Sequence, residues 1–232
     1  MPQEVFNRGG NIFSNEAHIF IIKPDESLIN FKKYFDLLSK EEKNRAKFYH
    51  YRNDAIKFLI AHIFLRLILS RYLRSSPKSI IFKEDSYGCP FIAKNNGDND
   101  IEFSLSYAKD AVVLAISKEF LIGVDIEHYR QLDFTQVAQT CFSQEEFLDV
   151  FKDTYNKKEI MYKFFLYWTM KEACTKLLGY GLSMPLQNFS FKTKNKEIDF
   201  AEDSFLYNES SFWQLYNFNN IRLERLLLKE IM

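Results

Sequence analysis

Apolar and polar positions alternate along this chain in a way that separates short strands from helices. HIFIIK, residues 18–23, reads as a strand, and Ser39-Lys40-Glu41-Glu42 has the S-x-x-E form that opens a capped helix. After Asn53-Asp54, residues 55–73 carry apolar side chains at helical spacing, and Pro77 closes that run. Short strands follow at about 79–83 and 90–93, then an Asn/Gly/Asp turn at 95–100, IEFSLSY, a bend near Lys109-Asp110, and AVVLAIS.

The order then recurs. A strand at 121–128 precedes a second box at Ser143-Gln144-Glu145-Glu146, a helix, a polar gap at 153–158 and an aromatic helix at 160–178. Gly179 and Gly181 terminate that helix, and strands near 188–193, 197–201 and 211–218 come after. The repetition predicts an α+β protein of two similar halves, 1–118 and 119–232, with a seam near 117–120. Halves of this kind form a pseudo-twofold pair, and the natural ligand site is the cleft between them.

The strand IGVDIE at 122–127 raises a chemical question. Alternation puts Gly123, Asp125 and Glu127 on one face and Ile122, Val124 and Ile126 on the other. Adjacent carboxylates repel, which raises one pKa unless a cation lies between them, and magnesium suits such oxygen ligands. An edge strand with its polar face in solvent would show the same pattern.

The aromatic helix adds a third carboxylate. In YKFFLYWTMKEACTKLLGYG, residues 162–181, Phe165, Trp168, Glu172, Thr175 and Lys176 share one face. A merely exposed Glu172–Lys176 pair would have polar neighbours, whereas this stripe is aromatic. Three carboxylates and a lysine suit a metal bound together with a polyphosphate. Ser104 and Ser106, on one face of IEFSLSY, read either as phosphate donors or as a strand's wet face. The basic cluster of Lys43, Arg45, Lys47, Arg52 and Lys57 reads either as an anion site or as a solvated helix face.

Composition narrows the classes. With 47% hydrophobic and 17% aromatic residues the chain can bury a sizeable core, which excludes general disorder. Lysine plus arginine equals aspartate plus glutamate at 31 each, so no net field draws nucleic acid or an anionic membrane. Cys89, Cys141 and Cys174 are scattered without CxxC spacing, which argues against a zinc cage or disulfide framework and fits a reducing cytoplasm. The start, MPQEVFNRGGNIF, has no signal-peptide pattern, and His62 and Arg66 interrupt FLIAHIFLRLIL, so no membrane span is expected.

In their order and separation, SLSYAKDAVVLAIS, IGVDIE and YWTMKEACTKLLGYGL resemble three motifs of the Sfp-type 4′-phosphopantetheinyl transferases. These are the family's serine-bearing hairpin strand, its (I/V)G(I/V)D(I/V)E strand and its W-x-x-K-E-(A/S)-x-x-K helix. Weaker resemblance runs through SKEEKNRAKFYHYRNDAIKFLIAHIFLR and EDSYGCPFI. The resemblance implies two similar α+β halves with the active site between them, acting as a monomer. It implies that Asp125, Glu127 and Glu172 ligate magnesium, or manganese, together with pyrophosphate oxygens of coenzyme A.

By the same resemblance Lys176 and Lys171 contact phosphate, Ser106 lies beside the pyrophosphate, and Arg45 and Lys57 lie near the 3′-phosphate. A serine of an apo acyl, peptidyl or aryl carrier protein attacks the β-phosphate, and Glu172 or a metal-bound water takes its proton. Trp168 serves as an apolar wall against water, and the carrier docks around FSQEEFLDVF. Two departures stand out: Tyr107 where the family usually has histidine, and Cys89 where many members have lysine. Both predict retained activity with a raised KM for coenzyme A. A metal-dependent nuclease or phosphodiesterase, and a catalytically silent coenzyme A or carrier-binding homologue, remain as alternatives.

Overall fold

The computed structural model describes residues 11–14, 16–24, 31–93, 100–130, 133–152, 156–194 and 197–201. The strand expected at 211–218 and most of the turn at 95–100 lie outside the described residues. Within them the protein is α+β.

Strands β1 (Ala17–Ile22), β4 (Ile101–Tyr107) and β5 (Val112–Lys118) form an antiparallel sheet in the order β1-β5-β4. The central strand β5 is buried from Val112 to Ser117, so both of its faces are covered. One face carries Val112, Leu114 and Ile116 into a core built around helix α2 (Arg52–Tyr72), with Phe58, Ile60, Ile63, Phe64, Ile68 and Leu69 nearly inaccessible. Each such side chain contributes about 1.5–3 kcal/mol of burial free energy. The other face is paved with small residues, Ser104 paired with Ala115 and Ser106 with Val113, and this is what lets another segment lie flat over it.

Both sequence boxes form. Ser39 caps helix α1 (Lys40–Ala46) and Ser143 caps helix α4 (Gln144–Phe151), and each serine's backbone N–H donates the reciprocal bond to the glutamate three residues on. Between the two boxes lies helix α3 (Thr135–Cys141), which the sequence pattern did not announce. Helix α5 (Lys157–Leu178) ends at Gly179, whose φ of 78° is the left-handed cap that favours glycine. A second core gathers Phe134, Phe142, Phe164, Phe165, Tyr167, Phe189 and Phe191 around α5. Hairpins β2 (Phe82–Glu84) with β3 (Pro90–Ile92), and β6 (Phe191–Lys194) with β7 (Glu197–Phe200), follow the two long helices.

The box glutamates also enter the core. Glu42 accepts from the Arg66 guanidinium at 2.9 Å, and Arg66 donates to the carbonyls of Pro77 and Ile80. Burial would raise the Glu42 pKa, but His62, the Ser39 N–H and Arg66 hold it below the usual range. In the same relative place Glu146 pairs with Lys171 at 2.9 Å, and Lys171 donates to the carbonyls of Leu186 and Phe189. Each pair ties a capped short helix, a long helix and the following loop together.

The strand expected at 121–128 is not one. Residues 121–130 join no ladder among the described residues. They cross the small-residue face of the β4–β5 pair, where the Val124 N–H donates to the Ser104 hydroxyl at 3.0 Å. A segment lying on a sheet's face has no edge to pair with, so side-chain hydroxyls take its backbone hydrogen bonds.

Candidate active site

The segment 122–127 is sandwiched between that sheet face and α5. Gly123 makes this possible: a Cβ there would lie 2.0 Å from the Ala173 carbonyl oxygen and 2.7 Å from the Leu177 Cβ. With the backbone this close, Asp125 and Glu127 reach the helix face that carries Trp168, Glu172 and Lys176.

The contacts are short and polar. Lys176 Nζ donates to Asp125 Oδ1 at 2.6 Å and to Ser106 Oγ at 2.8 Å, and Ser106 Oγ in turn donates to Asp125 Oδ1 at 2.8 Å. Ser104 and Ser106 are both buried, so neither lies on a wet face. Trp168 Nε1 donates to Glu127 Oε1 at 3.1 Å. Burial first, and then the Asp125 charge, push the carboxyls of Glu127 and Glu172 above their usual range, with Lys176 opposing.

Three carboxylates face one lysine, which leaves negative charge to be balanced. Asp125 Oδ2 is buried with no hydrogen-bond partner, an acceptor aimed where a cation would satisfy it. Among the described residues no three histidine, cysteine, aspartate or glutamate side chains converge tightly enough to enclose an ion by themselves. An ion here would take further oxygens from a substrate or water, as magnesium does.

The remaining sequence candidates fall elsewhere. Arg45 pairs with Glu84 at 2.6 Å and Lys57 with Asp54 at 2.7 Å, both close to Tyr107, which alternation puts on the face of β4 opposite Ser106. Tyr107 points to that side, its hydroxyl 2.9 Å from that of Tyr49, and feels the charges of Arg45 and Asp54. Burial, with the Tyr49 bond next, raises the Tyr107 phenol well above its usual value, so it stays a neutral donor.

Lys171 corrects the sequence reading. Its side chain is 0% exposed and committed to Glu146 and two carbonyls, so it is a structural tie and not a phosphate contact. Burial pushes the Lys171 pKa down and that of Glu146 up, each opposed by the partner's charge. Its neighbour Glu172, about 100° round the helix, comes within range of the Asp125, Glu127 and Lys176 charges instead. Cys89 sits against the end of α5, its Sγ 3.9 Å from the Lys176 carbonyl.

Sequence reasoning does not foresee the part that three residues play in the site. Gly123 was visible as the one small residue beside the carboxylates, Trp168 was taken for a wall and not a donor, and nothing in the pattern pointed to Tyr49.

Comparison with known proteins identifies the family. Residues 121–223 match the model of the 4′-phosphopantetheinyl transferase superfamily, and residues 24–119 match that of 4′-phosphopantetheinyl transferase, N-terminal. The 4′-phosphopantetheinyl transferase gsp of Aneurinibacillus migulanus is 30% identical over 173 residues, covering 74% of this chain and 69% of that protein. The 4′-phosphopantetheinyl transferase Sfp of Bacillus subtilis (strain 168) is 28% identical over 161 residues, 69% of each. The 4′-phosphopantetheinyl transferase HetI of a Nostoc strain is 28% identical over 175 residues, covering 74% and 72%. Matches of this extent in both halves, over the segments that build the carboxylate site, establish that the chain belongs to the 4′-phosphopantetheinyl transferase superfamily.

Proposed function

We propose that the chain transfers the 4′-phosphopantetheine group of coenzyme A to a serine hydroxyl of an apo acyl or peptidyl carrier protein. The serine oxygen forms a bond to the β-phosphorus, the bond from that phosphorus to the bridging oxygen breaks, and adenosine 3′,5′-bisphosphate leaves. The observation that carries this reading is the Asp125 carboxylate, held by Lys176 and Ser106 through Oδ1 while Oδ2 is buried without a partner.

Asp125, Glu127 and Glu172 are the residues that would hold magnesium or manganese. When bound, such an ion supplies charge neutralisation for the pyrophosphate and the leaving group. The chain's own groups do the rest. Lys176, anchored on α5 but partly exposed, can lend its ammonium to a phosphate oxygen, and Ser106 offers a hydroxyl beside it. Glu172, its carboxyl raised by burial, is suited to take the proton of the incoming serine. Arg45, Lys57 and the Tyr107 hydroxyl form the group assigned to the 3′-phosphate.

No described helix is long and apolar enough to cross a membrane. The test is intact-mass spectrometry of an apo carrier protein incubated with the enzyme, coenzyme A and magnesium. A gain of about 340 Da that disappears with chelator supports metal-dependent transfer. Bound coenzyme A without any gain, across several carriers, overturns it in favour of a silent binding homologue.

A further inference from the structure

We propose that Trp168 serves the reaction through its indole N–H, as the residue that fixes the Glu127 carboxylate, and not as an apolar wall. This rests on the reading of Glu127 as a ligand.

The indole is mounted on the second core. Its ring lies nearly parallel to that of Phe164, at 11° and 6.1 Å, and Phe164 stacks on Phe134 at 17° and 4.2 Å. Phe142 and Phe165 hold Phe164 from other sides, at 5.3 and 5.5 Å. Phe134, Phe142 and Phe164 are all buried, so the column has little room to rotate. The indole plane, and with it the direction of the N–H, is therefore set by packing that touches none of the carboxylates.

The chemistry of the donor suits the task. Glu127 sits half-buried beside the Asp125 charge, and like charges drive the two carboxylates apart. An anchored hydrogen bond to Glu127 Oε1 opposes that drift and leaves Oε2 for another partner. An indole N–H donates only, so it can neither accept a proton nor compete for the cation. With Gly123 pinned against Ala173 and Leu177, the acidic segment is fixed at both ends of the run that faces α5.

Two variants separate a hydrogen bond from a wall. Trp168→Phe keeps an aromatic surface and loses the N–H, whereas Trp168→Leu loses both. The affinity for Mn2+ in the presence of coenzyme A is read from the electron paramagnetic resonance of free Mn2+, with melting temperature as the check on folding. Removal of a hydrogen bond to a charged group predicts roughly tenfold weaker Mn2+ binding by Trp168→Phe, and a similar loss by Trp168→Leu. Wild-type Mn2+ affinity in a folded Trp168→Phe protein, with loss confined to Trp168→Leu, overturns the inference.

A second measurement needs no change at Trp168. The chain has two tryptophans, so two indole N–H resonances are expected. Glu127→Gln should shift one of them strongly, and no shift overturns the hydrogen bond. A wild-type enzyme that transfers phosphopantetheine but binds no Mn2+ overturns the ligand reading and this inference with it. A wild type that binds Mn2+ without transferring leaves this inference supported by its own readouts and removes the proposed activity alone.

Discussion

Gly123 lies so close to Ala173 that a single methyl group would sit 2.0 Å from the Ala173 carbonyl oxygen. That closeness brings Asp125 and Glu127 within reach of α5. Gly123→Ala should push the acidic segment off the helix, cutting transfer at least about a hundredfold while costing only about 1–3 kcal/mol of stability. Turnover assayed beside urea denaturation checks both parts, and wild-type turnover would show that the close approach is unimportant.

Asp125 and Lys176 meet at 2.6 Å, but Lys176 keeps 29% of its side chain exposed and can turn to water if the carboxylate is lost. Asp125→Asn keeps the oxygen that accepts from Lys176 and Ser106, so it should cost only about 1–2 kcal/mol of stability. Transfer should fall at least about a hundredfold, and equally for Glu172→Gln, because the charge that holds the ion is reduced. Steady-state rates at saturating coenzyme A, beside thermal melts, test the separation.

Glu127 and Glu172 make stability depend on pH. Burial and then the Asp125 charge raise both folded pKa values above the ordinary 4.5. Folding then takes up protons, so this contribution is intact below 4.5 and stability falls as pH climbs through the raised values. A divalent cation binds only the ionised carboxylates. The rise in melting temperature caused by magnesium should thus widen as pH climbs from below 4.5 through the raised values. A magnesium increment that stays flat over that range would contradict the ligand assignment.

Lys171 and Glu146 form a pair with both side chains at 0% exposure. Lys171→Met leaves a buried carboxylate alone and should cost about 3–5 kcal/mol. Adding Glu146→Gln keeps the cap on Ser143 and the bond from the Phe191 N–H while removing that charge, so the double variant should regain much of the loss. Its KM for coenzyme A should stay near wild type. A large rise in KM with stability restored would return Lys171 to the phosphate site.

The Tyr49 and Tyr107 hydroxyls stand 2.9 Å apart near Arg45. If Tyr107 serves the 3′-phosphate, Tyr107→Phe should raise KM for coenzyme A about fivefold and leave kcat unchanged. With 3′-dephospho-coenzyme A as substrate the variant and wild type should then behave alike. Equal effects on both substrates would place the tyrosine's influence in packing alone.

Much of this was legible because local rules sufficed. The two S-x-x-E boxes formed at Ser39 and Ser143, Gly179 capped α5, and IEFSLSY and AVVLAIS paired as neighbouring strands. IGVDIE misled for a physical reason. Alternating side chains report that a segment is covered differently on its two sides, and a segment pressed between a sheet face and a helix satisfies that as well as a strand does.

The sequence alone determined which chemistry was available: two carboxylates spaced to face one way, a third with a lysine one turn on along an aromatic stripe, and the glycine beside them. Tertiary structure decided which of the charged groups could use it. Lys171 and Glu172 are adjacent on α5, yet one is sealed against Glu146 and the other faces Asp125. Local spacing cannot tell a helix face that meets a core from one that meets a cleft, because that depends on what the rest of the chain packs against it.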